Sequence, residues 1–205
     1  NPLSESIEAR YRLLEIARTS GDAATVATRL EELVQADALA GAQRSDRTRY
    51  LAAVSSLELA EPVRRRFTVF KLGQPLAEGL KIKRSPMEEV LAVYTSAADY
   101  GVAEVTTAAT FRLAEVYELF SADLMASERP GDLDEAALEQ YELLLEEQVY
   151  PFEEKAIKFL ETNVARVDEG LYTDWIDKSY ATLGELLPVQ YAKHELPSGV
   201  VDVLH

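Results

Sequence analysis

The chain has 205 residues, no cysteine and a formal net charge of −15. A chain of this length buries enough surface to fold without cross-links, and the lack of cysteine excludes disulfides and cysteine-based zinc or iron–sulfur sites. The acidic balance argues against nucleic acid or an anionic membrane surface as a partner, and no apolar run approaches the roughly 20 residues of a membrane-spanning helix.

Apolar residues recur at helical spacing along the chain. The pattern i, i+4, i+7 is met first at Ile7, Tyr11 and Leu14 and returns in later segments, whereas no convincing alternating strand pattern is present. The sequence therefore predicts an all-α protein. The predicted helices cover residues 4–20, 22–40, 45–61, 63–72, 86–100, 103–127, 134–150, 151–168 and 171–190.

Local signals mark where several of these helices begin and end. Ser85, Pro86 and Glu88 form a strong start signal, because serine caps a helix, proline fits its first turn and glutamate completes a capping box. Asp134 is the expected cap of a later helix, and Gly101 supplies a left-handed C-terminal position. These signals predict that one helix begins just after Ser85.

Glycine and proline also divide the chain into parts. The stretch from Leu72 to Ser85 is the least regular and predicts an internal joint, while Pro62 and Pro151 each either kink a long helix or start a new one. The predicted organisation is N-terminal helical hairpins at 1–72, an irregular joint at 73–85, a C-terminal helical domain at 86–194 and a tail at 195–205.

One pair of helices carries a tetratricopeptide-like pattern. Leu113, Ala114 and Tyr117 have the spacing of the first helix of such a repeat, in which a small residue lets the neighbouring helix approach. The pattern of the second helix falls on Ala137, Tyr141 and Leu144. There is no clean 34-residue period. Because short connectors favour antiparallel helix pairs, we predict that the pairs stack as a TPR-like α-solenoid.

A longer stretch, from about Leu80 to Tyr191, carries a wider likeness. Its segments are Leu80–Arg84 with Met87 and Glu88, Tyr100–Thr110, Ser127–Pro130, Leu143–Glu147, Pro151–Ile157, and Gly170–Trp175 with Tyr191. On these segments the chain resembles the C-terminal region of large tetratricopeptide-repeat proteins of Gram-negative bacteria, which are associated with TonB-type or gliding machinery. The resemblance implies a helical repeat fold, no enzymatic activity and protein binding in the periplasm or cell envelope; the cytoplasm stays open as an alternative.

No arrangement of residues predicts catalysis. A di-iron bundle requires Glu-x-x-His pairs, and neither His194 nor His205 has a glutamate three residues before it. The same scarcity of histidine argues against a Ser-His-Asp triad, and there is no glycine-rich phosphate loop. Adjacent glutamates such as Glu146 and Glu147 point about 100° apart on a helix, so we interpret them as solvated surface. We therefore predict no catalytic, cofactor or metal site.

Charge is distributed very unevenly. Residues 62–85 contain Arg64, Arg65, Arg66, Lys71, Lys81, Lys83 and Arg84 with Glu78 as the one acid, whereas residues 134–161 are strongly acidic. Three interpretations of this basic segment remain open. It complements acidic helices of the same fold, it docks an acidic protein, or it contacts nucleic acid through Phe67 and Phe70 between the cations. The global charge weighs against the third.

Aromatic residues on the helical stripes are expected to be mostly core. Trp175 is the candidate exception, because tryptophan also serves as an anchor for partners. The candidate partner-binding residues are thus Arg64, Arg65, Arg66, Lys71, Lys81, Lys83, Arg84 and Trp175.

The predicted function is a non-catalytic scaffold that holds a peptide or helix of a protein partner. The alternatives are a structural subunit that associates with itself and an unrecognised helical enzyme. Because the chain begins with Asn1, we expect it to be a fragment or a processed product.

Overall fold

The computed structural model describes residues 2–191, with side chains from residue 5 onward, and within this range the chain is helical and has no β-strand. The helices are α1 (Pro2–Ser20), α2 (Ala23–Ala38), α3 (Asp46–Val69), α4 (Leu76–Ala98), α5 (Ala103–Met125), α6 (Glu135–Ala165), α7 (Asp174–Leu186) and α8 (Pro188–Tyr191). Short 3-10 turns occupy Gly41–Gln43 and Arg166–Glu169. The all-α prediction is confirmed; His194 and the tail at 195–205 lie outside the described residues.

Two predicted helix breaks are absent. α3 runs through Pro62 and α6 runs through Pro151, so each of these helices replaces two predicted ones. A proline inside a helix removes one backbone hydrogen bond. Buried residues on both sides of each proline, such as Ala60 and Phe67 in α3, offset that loss by packing on the same neighbours.

The predicted helix start at Ser85 is wrong. α4 begins ten residues before the predicted helix of 86–100, at Leu76, and continues through Pro86. The irregular segment therefore shrinks from residues 73–85 to residues 70–75. The physical reason is a single apolar stripe that passes Pro86 without interruption, with Leu80 and Leu76 packed against the core before it and Met87 buried after it.

Other local signals are confirmed. The Asp134 carboxylate accepts a hydrogen bond of 2.8 Å from the backbone N–H of Ala137 and so caps α6. Gly101 adopts the expected left-handed φ angle, 65°, after the end of α4. These positions depend on short-range geometry, which explains why the local sequence predicts them.

The helices pack in the order of the chain. Each helix from α2 to α8 packs on the one before it, and the next-but-one contacts join α1 with α3, α3 with α5, and α5 with α7. The odd-numbered helices thus form a continuous layer. The largest hydrophobic cluster contains residues of α3, α4, α5 and α6, so the core continues across the predicted joint.

The two halves of the tetratricopeptide-like pattern differ in outcome. Leu113 and Ala114 are buried in α5, and the Tyr117 ring stacks on Phe159 of α6 with 5.9 Å between ring centroids. On α6 Leu145 is buried, whereas Ala137 and Leu144 are exposed and Tyr141 is half-buried. The predicted stripe on α6 was therefore displaced by one residue, because adjacent leucines leave the register ambiguous.

Candidate functional site

Lys83 of the basic segment is buried, with 0% relative exposure. Its ammonium group forms an ion pair with Asp123 of α5 and donates a hydrogen bond of 2.6 Å to the carbonyl oxygen of Phe70. It also lies 4.6 Å from the centroid of the Phe67 ring. Because the last carbonyls of a helix lack partners within that helix, this ammonium satisfies the C-terminus of α3. Lys83 therefore belongs to the interior and not to a docking surface.

Lys71 shares the same carboxylate. Its ammonium lies 2.7 Å from Oδ1 of Asp123, a residue that is 8% exposed, while Lys83 contacts Oδ2. A single aspartate on α5 thus holds both the segment that follows α3 and the middle of α4. The two lysines stabilise the α3–α4 connection.

Most other cations of the segment pair with nearby acids. Ion pairs link Arg64 to Glu61, Arg66 to Glu89, and Arg84 to Glu88. Among residues 5–191, Arg65 and Lys81 form no ion pair, and both are exposed. The first interpretation of the basic segment, charge compensation within the fold, accounts for five of its seven cations. The compensating acids lie on α3, α4 and α5, whereas the acidic stretch at 134–161 supplies none.

Trp175 is half-buried at the start of α7. Its ring lies 5.5 Å from that of Phe111, and the cationic groups of Arg112 and Lys178 lie 5.1 Å and 4.0 Å from its centroid. The indole belongs to the cluster that joins α5, α6 and α7. It also lines a shallow depression together with Tyr172, which is 75% exposed. Trp175 therefore has both a packing role and an accessible edge.

A buried polar network fixes α7 against α5 and α6. The Asn163 side-chain amide donates to the carbonyl oxygen of Thr107 at 2.9 Å and to the hydroxyl of Ser179 at 3.0 Å. The Thr173 hydroxyl donates to the Thr107 hydroxyl at 3.0 Å. Because buried amides are costly without partners, this network sets the position of α7 and hence the shape of the surfaces beside it.

An open groove of about 870 Å³ runs between α6 and the C-terminal end of α7. We call it the α6–α7 groove; it is lined by Tyr150, Pro151, Glu153, Glu154, Lys155, Ile157, Lys158, Glu161, Leu186 and Leu187. Tyr150 is 59% exposed at its rim. The Lys155 ammonium lies 5.3 Å from the Tyr117 ring centroid, so part of the positive charge is engaged by an aromatic face.

A smaller pocket of about 260 Å³ lies between α5, α6 and α7. We call it the carboxylate pocket; it is lined by Glu118, Ser121, Ala122, Met125, Glu153, Ala156, Thr182, Glu185 and Leu186. Oε1 of Glu118 and Oγ of Ser121 are buried and have no hydrogen-bond partner among the described residues. Burial, and then the charges of Glu115 and Glu185, raise the pKa of the Glu118 carboxyl.

The sequence did not single out this pocket. Glu118 is one glutamate among many, and its one distinguishing sign is its place in a helix that is otherwise rich in apolar and small residues. The spacing of Glu118 and Ser121 puts both on one face of α5. Which face of α5 meets α7 depends on tertiary packing.

In the part of the chain that the structure describes, no group of three or more histidine, aspartate or glutamate side chains is arranged to hold a metal ion. None of the helices described has the length and apolar character needed to cross a membrane. Comparisons with protein-family models, curated proteins and solved structures found no match. The fold and the groove together define an all-α protein of sequentially packed helices with an open groove between α6 and the end of α7.

Proposed function

We propose that the chain is a non-catalytic, TPR-like scaffold that binds a segment of a protein partner in the α6–α7 groove. The observation that supports this best is the groove itself. It is open, its lining residues extend along α6, and exposed apolar side chains lie at its edge. Helical repeats use surfaces of this kind to hold peptides and helices. The resemblance to envelope proteins supports an envelope or periplasmic assembly as the setting.

Two exposed apolar residues, Tyr150 and Leu186, line the groove, and others lie on the same C-terminal helices. Tyr150 on α6, Tyr180 and Leu186 on α7, and Val189 on α8 are all exposed, and Val189 is 94% exposed. Several exposed apolar side chains on neighbouring elements are typical of an interaction surface. A partner segment that alternates apolar and polar residues would cover them.

The basic segment is a weaker candidate for the docking surface. Lys83 is buried, and the other cations except Arg65 and Lys81 are paired within the chain. The enzyme alternative also lacks support, since Glu153 and Glu185 beside Glu118 are exposed. General acid–base chemistry favours two groups whose pKa values are driven apart in a dry cleft.

A pull-down with matched variants tests the scaffold. The immobilised chain should retain a defined protein. The double variant Tyr150→Ala with Glu154→Lys should retain at least about tenfold less of that protein, because the variant loses an aromatic contact and a negative charge at the groove. Both residues are exposed, so the fold should tolerate these changes. Quantitative mass spectrometry of the retained proteins gives the ratio.

Two controls carry the same kind of change elsewhere. Leu39→Ala with Glu31→Lys alters exposed residues of the α2 region, and Arg65→Glu with Lys81→Glu alters the unpaired part of the basic segment. Both should retain the partner. If the Arg65 and Lys81 variant loses the partner and the groove variant keeps it, the docking surface is the basic segment. That result would overturn the assignment to the groove.

A second candidate function is self-association. Leu13 and Ile16 of α1 are exposed at one end of the row of helices, and Tyr180 and Val189 are exposed at the other. In a row of stacked helices, apolar residues on the terminal elements favour end-to-end association. Light scattering across a range of concentrations separates the candidates: a constant monomer mass argues against self-association, and a mass that grows with concentration and is reduced by Ile16→Glu supports it.

A further inference from the structure

The carboxylate pocket adjoins the α6–α7 groove. Glu153 and Leu186 line both, so the pocket opens beside the surface proposed for the partner. Its walls are supplied by α5, α6 and α7, and the polar network of Asn163 fixes α7 in place. The pocket is thus a built feature of three packed helices and not a loop depression.

The described lining of the pocket carries negative charge and no positive charge to balance it. Glu118, Glu153 and Glu185 contribute three carboxyl groups, and no lysine or arginine within residues 5–191 lines the pocket. Ser121 is 4% exposed, and its Oγ has no hydrogen-bond partner among the described residues. A buried carboxylate oxygen without a partner is unfavourable, so a ligand that brings both protons and positive charge would be stabilised here.

We propose that the carboxylate pocket binds the ammonium group of a lysine side chain, which the protein partner inserts from the α6–α7 groove. This inference rests on the proposed scaffold function and specifies the chemistry of its partner. The ammonium group would donate hydrogen bonds to Oε1 of Glu118 and to Oγ of Ser121. The methylene groups of the lysine would pack against the side chains of Ala122, Met125 and Ala156.

The lining favours lysine over other cations. A lysine has a long apolar stem and a compact charge with three donors, which matches apolar walls that lead to one buried carboxylate oxygen and one buried hydroxyl, both without a partner among the described residues. A guanidinium binds best to both oxygens of a carboxylate at once. The described residues show no cluster arranged for a metal ion.

The two methionines of the chain provide a built-in readout. Met125 lines the pocket, whereas Met87 is buried in the core of α4. In protein with ¹³C-labelled methionine methyl groups, titration with N-acetyl-lysine-N-methylamide should shift the Met125 signal in a saturable way. For so small a ligand we expect a Kd of the order of 1 mM. The Met87 signal should stay in place.

A neutral analogue and two variants test which chemical groups are responsible for binding of the lysine compound. N-acetyl-norleucine-N-methylamide has the same stem without the ammonium group and should bind about tenfold more weakly or not at all, because the charged hydrogen bonds are lost. Glu118→Gln should weaken the lysine compound by about tenfold. The matched control Glu139→Gln, at an exposed position of α6, should leave binding unchanged. An unshifted Met87 signal in each variant shows that the fold is intact.

The pH dependence of binding offers an independent check of the role of Glu118. The pKa of Glu118 is raised, so its carboxylate is neutralised at a higher pH than an ordinary glutamate. Binding of the lysine compound should weaken as the pH falls through that pKa, and this step should be absent in Glu118→Gln. Among the described residues, the charged groups that face Glu118 are Glu115 on α5, Glu153 on α6 and Glu185 on α7, and all three are acidic.

Several results would overturn the lysine pocket. These are equal Met125 shifts with the lysine and norleucine compounds, unaltered binding in Glu118→Gln, or no Met125 shift at concentrations tenfold above the expected Kd. The two proposals fail separately. If a partner is retained in the groove but the lysine compound does not bind, the pocket assignment falls alone. If the lysine compound binds but no partner is retained, the scaffold falls while the pocket remains.

Discussion

Replacing Asp123 by alanine is expected to destabilise the fold by about 3–5 kcal/mol. The change leaves the Lys83 ammonium group buried without its countercharge, and removing one partner of a buried ion pair is strongly unfavourable. Lys71 loses the same carboxylate. For a domain of this size, each kcal/mol lowers the melting temperature by about 2–4 °C. Thermal and urea unfolding followed by circular dichroism measure the effect.

An exposed lysine on α4, the helix that carries Lys83, provides the control. Lys81→Met should change the stability by less than about 0.5 kcal/mol, because Lys81 is exposed and forms no ion pair within residues 5–191. The pair Lys83→Met with Asp123→Leu should recover much of the loss, since replacing both charges by apolar groups removes the unpaired charge. If Asp123→Ala costs no more than Lys81→Met, the buried pair does not hold α4 to α5 as described.

Replacing Trp175 by alanine is expected to cost about 2–3 kcal/mol. Fully buried tryptophans lose about 3–5 kcal/mol on this change, and Trp175 is half-buried, so its loss should fall below that range. The variant removes the contact with Phe111 and the aromatic face beneath Arg112 and Lys178. Urea unfolding measures the free energy of unfolding directly.

The same variant separates packing from binding. Tyr172→Ala, at a highly exposed neighbour, should change the stability by less than about 0.5 kcal/mol. If Trp175→Ala keeps the melting temperature of the native chain and yet loses the partner, Trp175 is an anchor for the partner and its packing role is unimportant. If Trp175→Ala instead lowers the stability and still binds the partner under conditions in which it is folded, the main contribution of Trp175 is packing between α5 and α7.

Local signals in the sequence predicted the all-α class and several helix ends. Asp134 and Gly101 act within one or two turns, where a cap or a left-handed residue depends on its own neighbours and not on distant packing. The prolines show the limit of such signals. Pro86 looks like a helix start beside Ser85, but the apolar stripe on both sides of it packs on one core, and this tertiary contact favours a continuous α4.

The candidate site was harder to predict because charge along a chain does not show which groups meet. The sequence revealed the basic segment and the acidic stretch at 134–161, and compensation of the basic segment by acidic helices of the same fold was one of three open interpretations. The structure pairs Lys83 with Asp123, which is 40 residues away on α5 and outside that stretch. The burial of Lys83 follows from the packing of α3, α4 and α5 and has no local signal.

The sequence by itself determined the helical class, the helix ends at Gly101 and Asp134 and the acidic character of the chain, because these depend on residue type and short-range spacing. Only the tertiary structure decided which prolines lie inside helices, which lysines are buried, and which glutamates border a pocket. Glu118 shows why: its spacing places it on a face of α5, but the unpartnered oxygen and the pocket exist only where α5, α6 and α7 meet. Long-range packing sets those properties, and no window of sequence contains it.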